Sequence, residues 1–588
     1  MATIANFPVL DFSGGVRRDK SSFDLRKNEL LDARNVEFSQ EGRIRMRRGS
    51  QQVGQTLTTT IENSFPFVRY NTSGTPLTNL IVNTNGATSV LSTLTSTRLT
   101  AAAAVGDTTL TVVANLNTPN DFAASGTLEI DGDLIDYTAL SGATGFTGVS
   151  LINFAHPVGS AVHQWTTLTQ SGTAMDGRLG IYYTVLNNIL YMTGRTANMK
   201  QYDGSNVTNV TTSPAIILLT NYRDRNYGAG DGSTGTNGSS RRISFSARGD
   251  GTSWTTASDF FDIEDQRGQA VTGIRVRNDV MGLFKISSTY TYNEIELKQT
   301  MPDVGAYNDK VIVEIDESIF TFCPNGIFET NLFSAKQIGE PVRQYWEQFF
   351  PAFDAVSNRI CTNTFAWKWQ DSYLLYIGSI TAPYTASNVV LEYNTRTKSW
   401  TTHPAPSSIG GYYNFYFANH AQHFQFGDWL SARSLNIHPN VFAGDTDGHV
   451  FRLYESLYVD SATPQVTRGG NLTVDLIGAG VGPVGYPISG NFETPLYDLT
   501  HPELFKKFKR LRVYTESGQW NMEYRVENEQ GITDYRTLGS VSTTNKVLPF
   551  PNEAQGWRCG FRVSSVNNNG TSVFNGFIFE DTEVLPRP

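Results

Sequence analysis

A degenerate repeat between residues 178 and 460 constrains the fold of this 588-residue chain more than any other feature. Each repeat has an aromatic-bearing strand, a polar turn and a second strand ending in Tyr-Asp, Tyr-Asn or Ser-Trp, as at Tyr202–Asp203, Tyr393–Asn394 and Ser399–Trp400. Units of roughly 40–50 residues built from such hairpins are typical of β-propellers. The repeat therefore predicts a propeller of about five to eight blades.

The composition agrees with an all-β protein. Charged residues make up only 17% of the chain, while aromatic residues reach 12% and there are 52 glycines. Aromatic residues favour strands and glycines favour the tight turns between them. Helical patterns are scarce, and the best candidates are residues 340–356 and 501–508, the second with Pro502 at a favourable first-turn position.

Changes in composition divide the rest of the chain. Residues 97–165 are nearly free of basic residues, and their alternating strands include a hairpin turn at Asp131–Gly132. A Gly- and Pro-rich break at 462–492 precedes strands that alternate with period two, which indicates a half-exposed antiparallel sheet. We therefore predict a mainly β chain with these parts: 1–50, an extended N-terminal arm; 51–96 and 166–461, a β-propeller-like domain; 97–165, an inserted small β domain; 462–588, a C-terminal β-sandwich.

Bulk charge and cysteine spacing exclude several classes of protein. The formal net charge of −9 argues against a surface that binds nucleic acid over the whole molecule. Cys323, Cys361 and Cys559 are widely spaced and odd in number, so neither a disulfide framework nor a zinc site is indicated. The N-terminus lacks a signal peptide and no long apolar run spans a membrane. We expect a soluble protein made in a cytoplasm.

Local clusters of polar residues favour structural roles over catalysis. Two of them, the turn at 444–450 and the pair His420 and His423, lack the remaining ligands of a calcium loop or a zinc site. Adjacent carboxylates on a strand point to opposite faces, which weighs against acid–base work by the acidic run Asp259, Asp262, Glu264 and Asp265. We expect no catalytic, cofactor-binding or metal-binding residues, and thus no enzyme.

A basic cluster near the N-terminus is the candidate interaction site. Its members are Arg43, Arg45, Arg47 and Arg48. Alternation places the first three on one face of a strand, with Ile44 and Met46 on the other. The favoured interpretation is pairing with carboxylates of another subunit. Contact with phosphate and a solvated edge strand that resists aggregation remain alternatives.

The N-terminal pattern resembles that of structural proteins from tailed bacteriophages. An F-x-G-G-like element is followed by an N…R-N motif and a G…R-x-G motif; the matching residues are Phe12, Gly14, Gly15, Asn28, Asn35, Gly42, Arg47 or Arg48, and Gly49. The inserted domain is similar to a β module of phage tail and head-completion proteins, although Ala123 stands where Pro is common and Asp133 where Glu is common. The repeats followed by a sandwich look like the tail nozzle (tail tubular protein B) of short-tailed phages.

This resemblance implies a virion protein of the phage tail, made in the host bacterial cytoplasm. Such a nozzle is a hexameric tube below the portal and adaptor that retains the genome and conducts double-stranded DNA during ejection without binding it specifically. It implies further copies of the chain and the adaptor as partners, with tail fibres or a needle as candidates. A tail component that binds or cleaves host-surface glycans, and a head-completion or tail-hub protein of another tailed phage, are the alternatives.

Overall fold

The structure, a computed structural model, describes most of the chain. It covers residues 3–586 except for positions 40, 58, 71–75, 85–87, 114–121, 143, 151, 176–180, 194–198, 232–238, 265–267, 348–351, 355–358, 362–363, 378–388, 405–416, 425–439, 446–447, 456–458, 461–485, 543 and 568–571.

Short antiparallel strands dominate the described residues, which confirms the prediction of a mainly β protein. Turns between them are formed by Asn, Asp and Gly residues with positive φ, including the predicted hairpin turn at Asp131–Gly132. The helical elements in this part of the chain are α1 (Arg343–Trp346) and the 3-10 segments Ser239–Arg241, Asp309–Val311 and Glu340–Val342.

One of the two predicted helices is wrong. Helix α1 falls within the predicted range 340–356, but residues 501–508 form turns followed by a strand at Phe505–Lys507. That strand pairs with Thr582–Leu585 and buries Lys506 completely. Pairing with a distant strand therefore outweighs the local helix signal of Pro502.

The N-terminal segment, the first sheet and a separate three-stranded sheet contain the following strands. They are β1 (Thr3–Ile4), β2 (Phe7–Val9), β3 (Gly15–Val16), β4 (Glu29–Leu30), β5 (Asp32–Arg34), β6 (Val36–Phe38), β7 (Ile44–Met46), β8 (Gly49–Gln52), β9 (Ile61–Tyr70), β10 (Pro76–Thr84), β11 (Leu91–Arg98), β12 (Thr109–Thr111), β13 (Gly126–Ile130), β14 (Asp133–Tyr137), β15 (Ala139–Leu140), β16 (Gly145–Thr147) and β17 (Ala161–Leu168). The separate three-stranded sheet consists of β12, β15 and β16.

The region predicted as an inserted domain has a hydrophobic core of its own. Its buried residues run from Leu99 to Val162 and include Leu128 and Phe146. Strands β11 and β17 pair from Leu91 opposite Leu168 to Arg98 opposite Ala161, as part of a sheet with the order β14-β13-β17-β11-β10-β9. Since β17 completes the first sheet, the inserted part ends before Ala161 rather than at residue 165. We call residues 99–160 the inserted module.

Consecutive hairpins then build a series of small antiparallel sheets. The strands are β18 (Tyr182–Leu186), β19 (Ile189–Thr193), β20 (Lys200–Tyr202), β21 (Val207–Asn209), β22 (Ile216–Tyr222), β23 (Arg225–Asp231), β24 (Arg242–Phe245), β25 (Phe260–Asp262), β26 (Val271–Arg277), β27 (Val280–Lys285), β28 (Thr289–Tyr292), β29 (Leu297–Met301), β30 (Val313–Ile315), β31 (Ser318–Cys323), β32 (Gly326–Thr330), β33 (Ala335–Gln337), β34 (Ala352–Asp354), β35 (Arg359–Cys361), β36 (Phe365–Trp369), β37 (Ser372–Ile377), β38 (Val389–Asn394), β39 (Ser399–Pro404), β40 (Phe417–Phe424), β41 (Asn440–Asp445) and β42 (Val450–Glu455). Strands β18–β21, β22–β25, β26–β29 and β30–β33 each form a four-stranded sheet, β36–β39 repeat the pattern, and β40–β42 are completed by β8 from the N-terminal segment.

Buried apolar clusters join each of these sheets to a neighbour in the series. Pairs of residues that share one cluster across two sheets are Phe67 with Leu190, Tyr191 with Leu219, Leu218 with Ile274, Phe284 with Phe322, Phe320 with Tyr373, Trp367 with Val441, and Val450 with Trp165. The last pair connects the final sheet of the series to the first. The sheets are thus packed face to face through hydrophobic side chains.

The C-terminal strands form two layers over one aromatic core. The strands are β43 (Val459–Asp460), β44 (Tyr486–Glu493), β45 (Phe505–Lys507), β46 (Arg510–Ser517), β47 (Trp520–Asn528), β48 (Gly531–Ile532), β49 (Arg536–Val541), β50 (Asn545–Pro549), β51 (Gln555–Gly556), β52 (Arg558–Asn567), β53 (Val573–Glu580) and β54 (Thr582–Leu585). One layer has the order β50-β46-β53-β7-β6, and the other joins β49, β47, β52, β44 and β5. Phe492 and Trp520 from one layer pack on Phe574 from the other.

The N-terminal segment is extended, as predicted, but it does not project as a separate arm. Strands β2, β6 and β7 belong to one layer of the C-terminal sandwich and β5 to the other. Strand β5 also contacts β39, and β8 pairs with β42. The segment therefore joins the C-terminal layers to the series of sheets.

Candidate functional site

Phe12 and the two glycines that follow it lie where the N-terminal segment meets both parts of the molecule. Phe12 is fully buried, with its ring 5.6 Å from that of Phe492. Gly15 has φ 62°, and a Cβ there would lie 2.5 Å from the Cβ of Ser399 at the start of β39. Only glycine combines this left-handed backbone with so close an approach.

Asn35 and Arg47 hold the segment against β39. The backbone N–H of Asn35 donates to the Thr402 carbonyl (3.1 Å), and its Oδ1 accepts from Nε of Arg47 (3.0 Å). Arg47 also donates to the Arg48 carbonyl and is only 1% exposed. The prediction that Arg47 shares an exposed face with Arg43 and Arg45 is therefore wrong, because its guanidinium serves the interior of its own chain.

Arg43 and Arg45 lie half-buried on the outer face of β7 and its flank, opposite the buried Ile44 and Met46, as the alternation predicts. Each pairs with a carboxylate of its own chain. Arg43 contacts Glu516 (3.0 Å), and Arg45 contacts Glu37 (2.8 Å). Arg48 is half-buried. Their part in a contact between subunits stays a prediction.

A buried polar cluster that the sequence did not predict lies beside Arg45. Nε2 of His403 lies 2.7 Å from Oε2 of Glu392, and Ser372 donates to the other oxygen of that carboxylate (2.7 Å). Burial raises the pKa of Glu37 and outweighs the opposite effect of Arg45. Burial also acts to raise the pKa of Glu392, but the hydrogen bond to His403 leaves it below its ordinary value. Strands distant in sequence bring these groups together, so no local pattern signals them.

A cavity of about 380 Å³ lies where the first strands of several consecutive sheets converge. Its lining residues come from β9, β18, β22, β26, β30, β36 and the segment that leads into β30. Arg275 donates to Oδ1 of Asp309 (2.7 Å), and the ammonium of Lys310 lies 3.3 Å from Oε1 of Glu62. Basic groups at the cavity are thus neutralised by carboxylates, which makes it polar without a strong charge of either sign.

The other polar motifs of the sequence do not assemble into a reactive centre. Asp262 is paired with Arg242 (2.9 Å), and Asp259 accepts from Ser258 (3.0 Å). Glu264 is exposed. Asp265, Asp447 and the side chains of His420, His423 and Asp445 lie outside the described residues. Among the groups that the structure describes, no set of three His, Cys, Asp or Glu residues could hold a metal ion.

Cys323 and Cys559 are buried free thiols, while the side chain of Cys361 lies outside the described residues. Burial raises the pKa of both thiols. No helix in the described part of the chain is both long enough and apolar enough to cross a membrane.

Comparisons with known proteins give no family. No family model and no curated protein matches the chain. Solved structures with some likeness include the computationally designed Ika8 protein (12% identity, 69% of this chain and 100% of that one, TM-score 0.29) and YCF48 bound to D1 peptide (9%, 73% and 98%, TM-score 0.34). An exo-beta-1,3-galactanase from Phanerochaete chrysosporium is similar at 9% identity (70% and 98%, TM-score 0.22). With TM-scores below 0.5, these likenesses carry no argument about fold or function.

Proposed function

We propose that this chain is a virion structural protein, the tail nozzle of a short-tailed bacteriophage. Six copies would form a tube below the portal and adaptor that retains the genome and conducts DNA during ejection. The chain would act through surfaces that join its copies rather than through an active site.

The proposal includes a propeller of seven sheets, counted in the described part of the chain. These are β9–β11 with β17, β18–β21, β22–β25, β26–β29, β30–β33, β36–β39, and β40–β42 with β8. The cluster that links the last sheet to the first, and the cavity at the first strands, support a closed ring of blades.

The observation that carries the functional proposal is the position of the residues that resemble phage structural proteins. Phe12 anchors the N-terminal segment in the core of the C-terminal layers, against Phe492 and Phe574. Gly15 and Asn35 place the N-terminal segment in contact with β39, and Arg47 holds Asn35 by a hydrogen bond. The residues of the motif therefore hold the N-terminal segment against the rest of the fold. We expect a chain with this motif to share the architecture of the proteins in which the motif occurs.

The net charge of the chain favours a protein that conducts DNA over a protein that binds it. The chain carries a net charge of −9, and like charge lets a DNA polymer slide past a wall without adhering. Arg45 on the N-terminal segment, and Arg275 and Lys310 beside the cavity, pair with carboxylates of the same chain. Few phosphate contacts would therefore form.

The cavity provides the observation that favours the alternative, a glycan-binding or glycan-cleaving tail component. Asp309, Glu314, Tyr182 and Tyr183 all line it. Glycoside cleavage needs one carboxylic acid that is free to give its proton. Asp309 instead accepts hydrogen bonds from Arg275 (2.7 Å) and from the N–H of Ile274 (3.0 Å), so its carboxylate is already engaged by groups of its own chain. The nozzle function is therefore preferred.

Cryo-electron microscopy of the particle that contains this chain tests the proposal. Six copies around the tail axis, below the adaptor and enclosing a channel wide enough for duplex DNA, are expected. Trimers or single copies at the periphery of the particle would overturn the nozzle function and favour a component that contacts host-surface glycans.

A further inference from the structure

Four of the small sheets share one kind of turn between their third and fourth strands. An Asn or Asp side-chain Oδ1 accepts hydrogen bonds from the backbone N–H groups two and three residues later, at 2.7–3.0 Å. These residues are Asp203, Asn293, Asn331 and Asn394, and they explain the recurring Tyr-Asp and Tyr-Asn of the sequence.

In two neighbouring sheets the next residue of the turn is fastened to the preceding sheet. Glu294 has φ 70° and pairs with Arg223 (3.2 Å) and Arg248 (2.6 Å) of the β22–β25 region. Leu332 has φ 75° and packs against Gly282 of β27, where a Cβ would lie 2.5 Å from its Cδ2. Both side chains hold a backbone conformation that residues other than glycine rarely adopt.

The following residue is consequently displayed to solvent. Ile295 is 92% exposed and Phe333 is 60% exposed, whereas the equivalent positions in the other two turns hold the polar Ser205 and Arg396. Solvent-exposed side chains continue along the edge strands β29 and β33. In each strand an apolar residue is followed by Lys and Gln, as Leu297-Lys298-Gln299 and Ala335-Lys336-Gln337. We call this surface the apolar edge; it consists of Ile295, Leu297, Lys298, Phe333, Ala335 and Lys336.

We propose that the apolar edge binds the inserted module of a neighbouring copy of this chain. The inference rests on the proposed assembly into a ring and names the surfaces that would join its subunits. Large apolar side chains held in solvent by strained turns are typical of contact surfaces rather than of free loops.

The inserted module has the chemistry that complements the apolar edge. Residues 99–160 contain six acidic residues and no Lys or Arg. The module also displays three apolar side chains, Val105 (64% exposed), Val158 (62%) and Val113 (49%). Asp107 is exposed two residues from Val105, whereas Glu129 and Asp133 are buried. Val105 with this carboxylate would meet Ile295 and Phe333 with their flanking lysines, so that charges of opposite sign face each other across the contact.

The places of the two surfaces in the series of sheets suit a head-to-tail contact. The module extends from the first sheet, between β11 and β17, whereas the apolar edge belongs to β26–β29 and β30–β33. Two different surfaces on separate parts of one subunit generate a closed ring when the rotation between copies closes. A two-fold dimer would instead pair one surface with itself.

Site-directed cross-linking tests which surfaces meet. Val105→Cys and Phe333→Cys are made in separate copies of the full chain, mixed at high concentration and oxidised. Disulfide-linked heterodimers on a non-reducing gel are expected, because the described native thiols, Cys323 and Cys559, are buried. The control replaces Phe333→Cys with Ile532→Cys, at another exposed apolar side chain. A yield no higher than in this control would overturn the proposal.

Replacing exposed apolar side chains by charged ones gives a second test, made on the particle. Ile295→Asp with Phe333→Asp is expected to reduce incorporation into rings at least tenfold while the melting temperature is unchanged, and Ile532→Asp is expected to have no effect. Rings that form normally with the double variant would overturn this contact and leave the nozzle function standing. A wild-type chain found off the tail axis would overturn the nozzle function itself, whatever the cross-linking shows.

Discussion

Arg43 and Arg47 illustrate how two arginines four residues apart come to play different parts. Arg43 is half-exposed and pairs with Glu41 and Glu516 at the surface. Arg47 is buried and gives its hydrogen bonds to Asn35 and the Arg48 carbonyl. Surface pairs contribute little to stability, whereas a buried hydrogen-bonded acceptor that loses its donor is costly.

We therefore expect Arg47→Met to lower the free energy of unfolding by about 2–3 kcal/mol, because Oδ1 of Asn35 would be left without this donor in the interior. The matched Arg43→Met is expected to change it by less than about 1 kcal/mol. Urea unfolding followed by tryptophan fluorescence measures both. Equal losses of unfolding free energy in the two variants would show that the buried hydrogen bonds of Arg47 add no more stability than the surface ion pairs of Arg43.

The sequence predicts the local part of this arrangement but not the rest. The two-residue period of a strand correctly separates Arg43 and Arg45 from Ile44 and Met46. The burial of Arg47 depends on Asn35 and Thr402, which lie on other strands. A pattern read along one segment cannot include such partners.

Among the elements, the inserted module carries a titratable group whose effect on stability has a definite sign. Burial acts to lower the pKa of His156, but its hydrogen bonds to Asp131 (3.1 Å) and Asp133 (3.3 Å) outweigh burial and raise the pKa to about 9. The ordinary value is about 6.5. His156 therefore stabilises the folded module fully below pH 6.5, and this contribution is lost as the pH rises through about 9.

We expect the module to lose stability on the order of 3 kcal/mol between pH 7 and 9.5. Burial raises the pKa of Glu129 to about 7, at the lower limit of this window, and lowers that of His163 to about 3, well below it, so His156 dominates the change. Hydrogen exchange of residues 126–137, corrected for the intrinsic rate at each pH, measures the change. His156→Gln should abolish the slope; a wild-type profile that is flat over this range would contradict the assignment.

The strand pairing also fixes where the module can be removed. Arg98 lies opposite Ala161 at the end of β11 and β17, so an Asn-Gly turn can replace residues 99–160. We expect this variant to remain soluble and to lose at most about 2 kcal/mol of stability, since β9–β11 and β17 of the first sheet are kept. Deletion of 97–165 also removes Trp165, which donates to the Val53 carbonyl (3.0 Å), and is expected to give insoluble protein.

Soluble yield and far-ultraviolet circular dichroism compare these two deletions. If both variants behaved alike, β17 would not be part of the first sheet. The sequence revealed the module because its composition differs from that of its surroundings, but the composition does not change at the last strand. Pairing of β11 with β17, which only the fold shows, sets the boundary.

At the scale of the whole molecule, the N-terminal segment connects the C-terminal layers to the series of sheets. It supplies strands to both layers of the sandwich and to the sheet of β40–β42. Removal of residues 1–52 would expose the core positions that Phe12, Val16, Ile44 and Met46 fill. Removal of residues 1–5 takes away only the short edge strand β1.

We expect the chain without residues 1–5 to fold with a melting temperature within a few degrees of wild type, because little apolar surface is lost. The chain without residues 1–52 is expected to be insoluble or to unfold without cooperativity, since several large apolar side chains are lost from the core. Expression trials and thermal melts distinguish the two. A cooperative transition in the longer truncation would mean that the segment is dispensable.

The sequence predicted repeated hairpins because each is local, and its period-two strands near the C-terminus predicted antiparallel pairing. It did not predict that the N-terminal residues would be shared between these parts. The partners of β5 and β8 lie hundreds of positions further along, and short strands such as Asp32–Arg34 carry too few residues to specify a partner.

The pairing of Ser50 with Leu453 and of Ala33 with Phe492 has a consequence for synthesis. The first fifty residues leave the ribosome long before these partners, which follow only after a delay on the order of tens of seconds at ordinary rates of translation. During that interval Phe12, Ile44 and Met46 have no core to enter. The segment is thus made first and ordered last, and a chain that stalls before residue 450 would present its apolar side chains to chaperones and proteases.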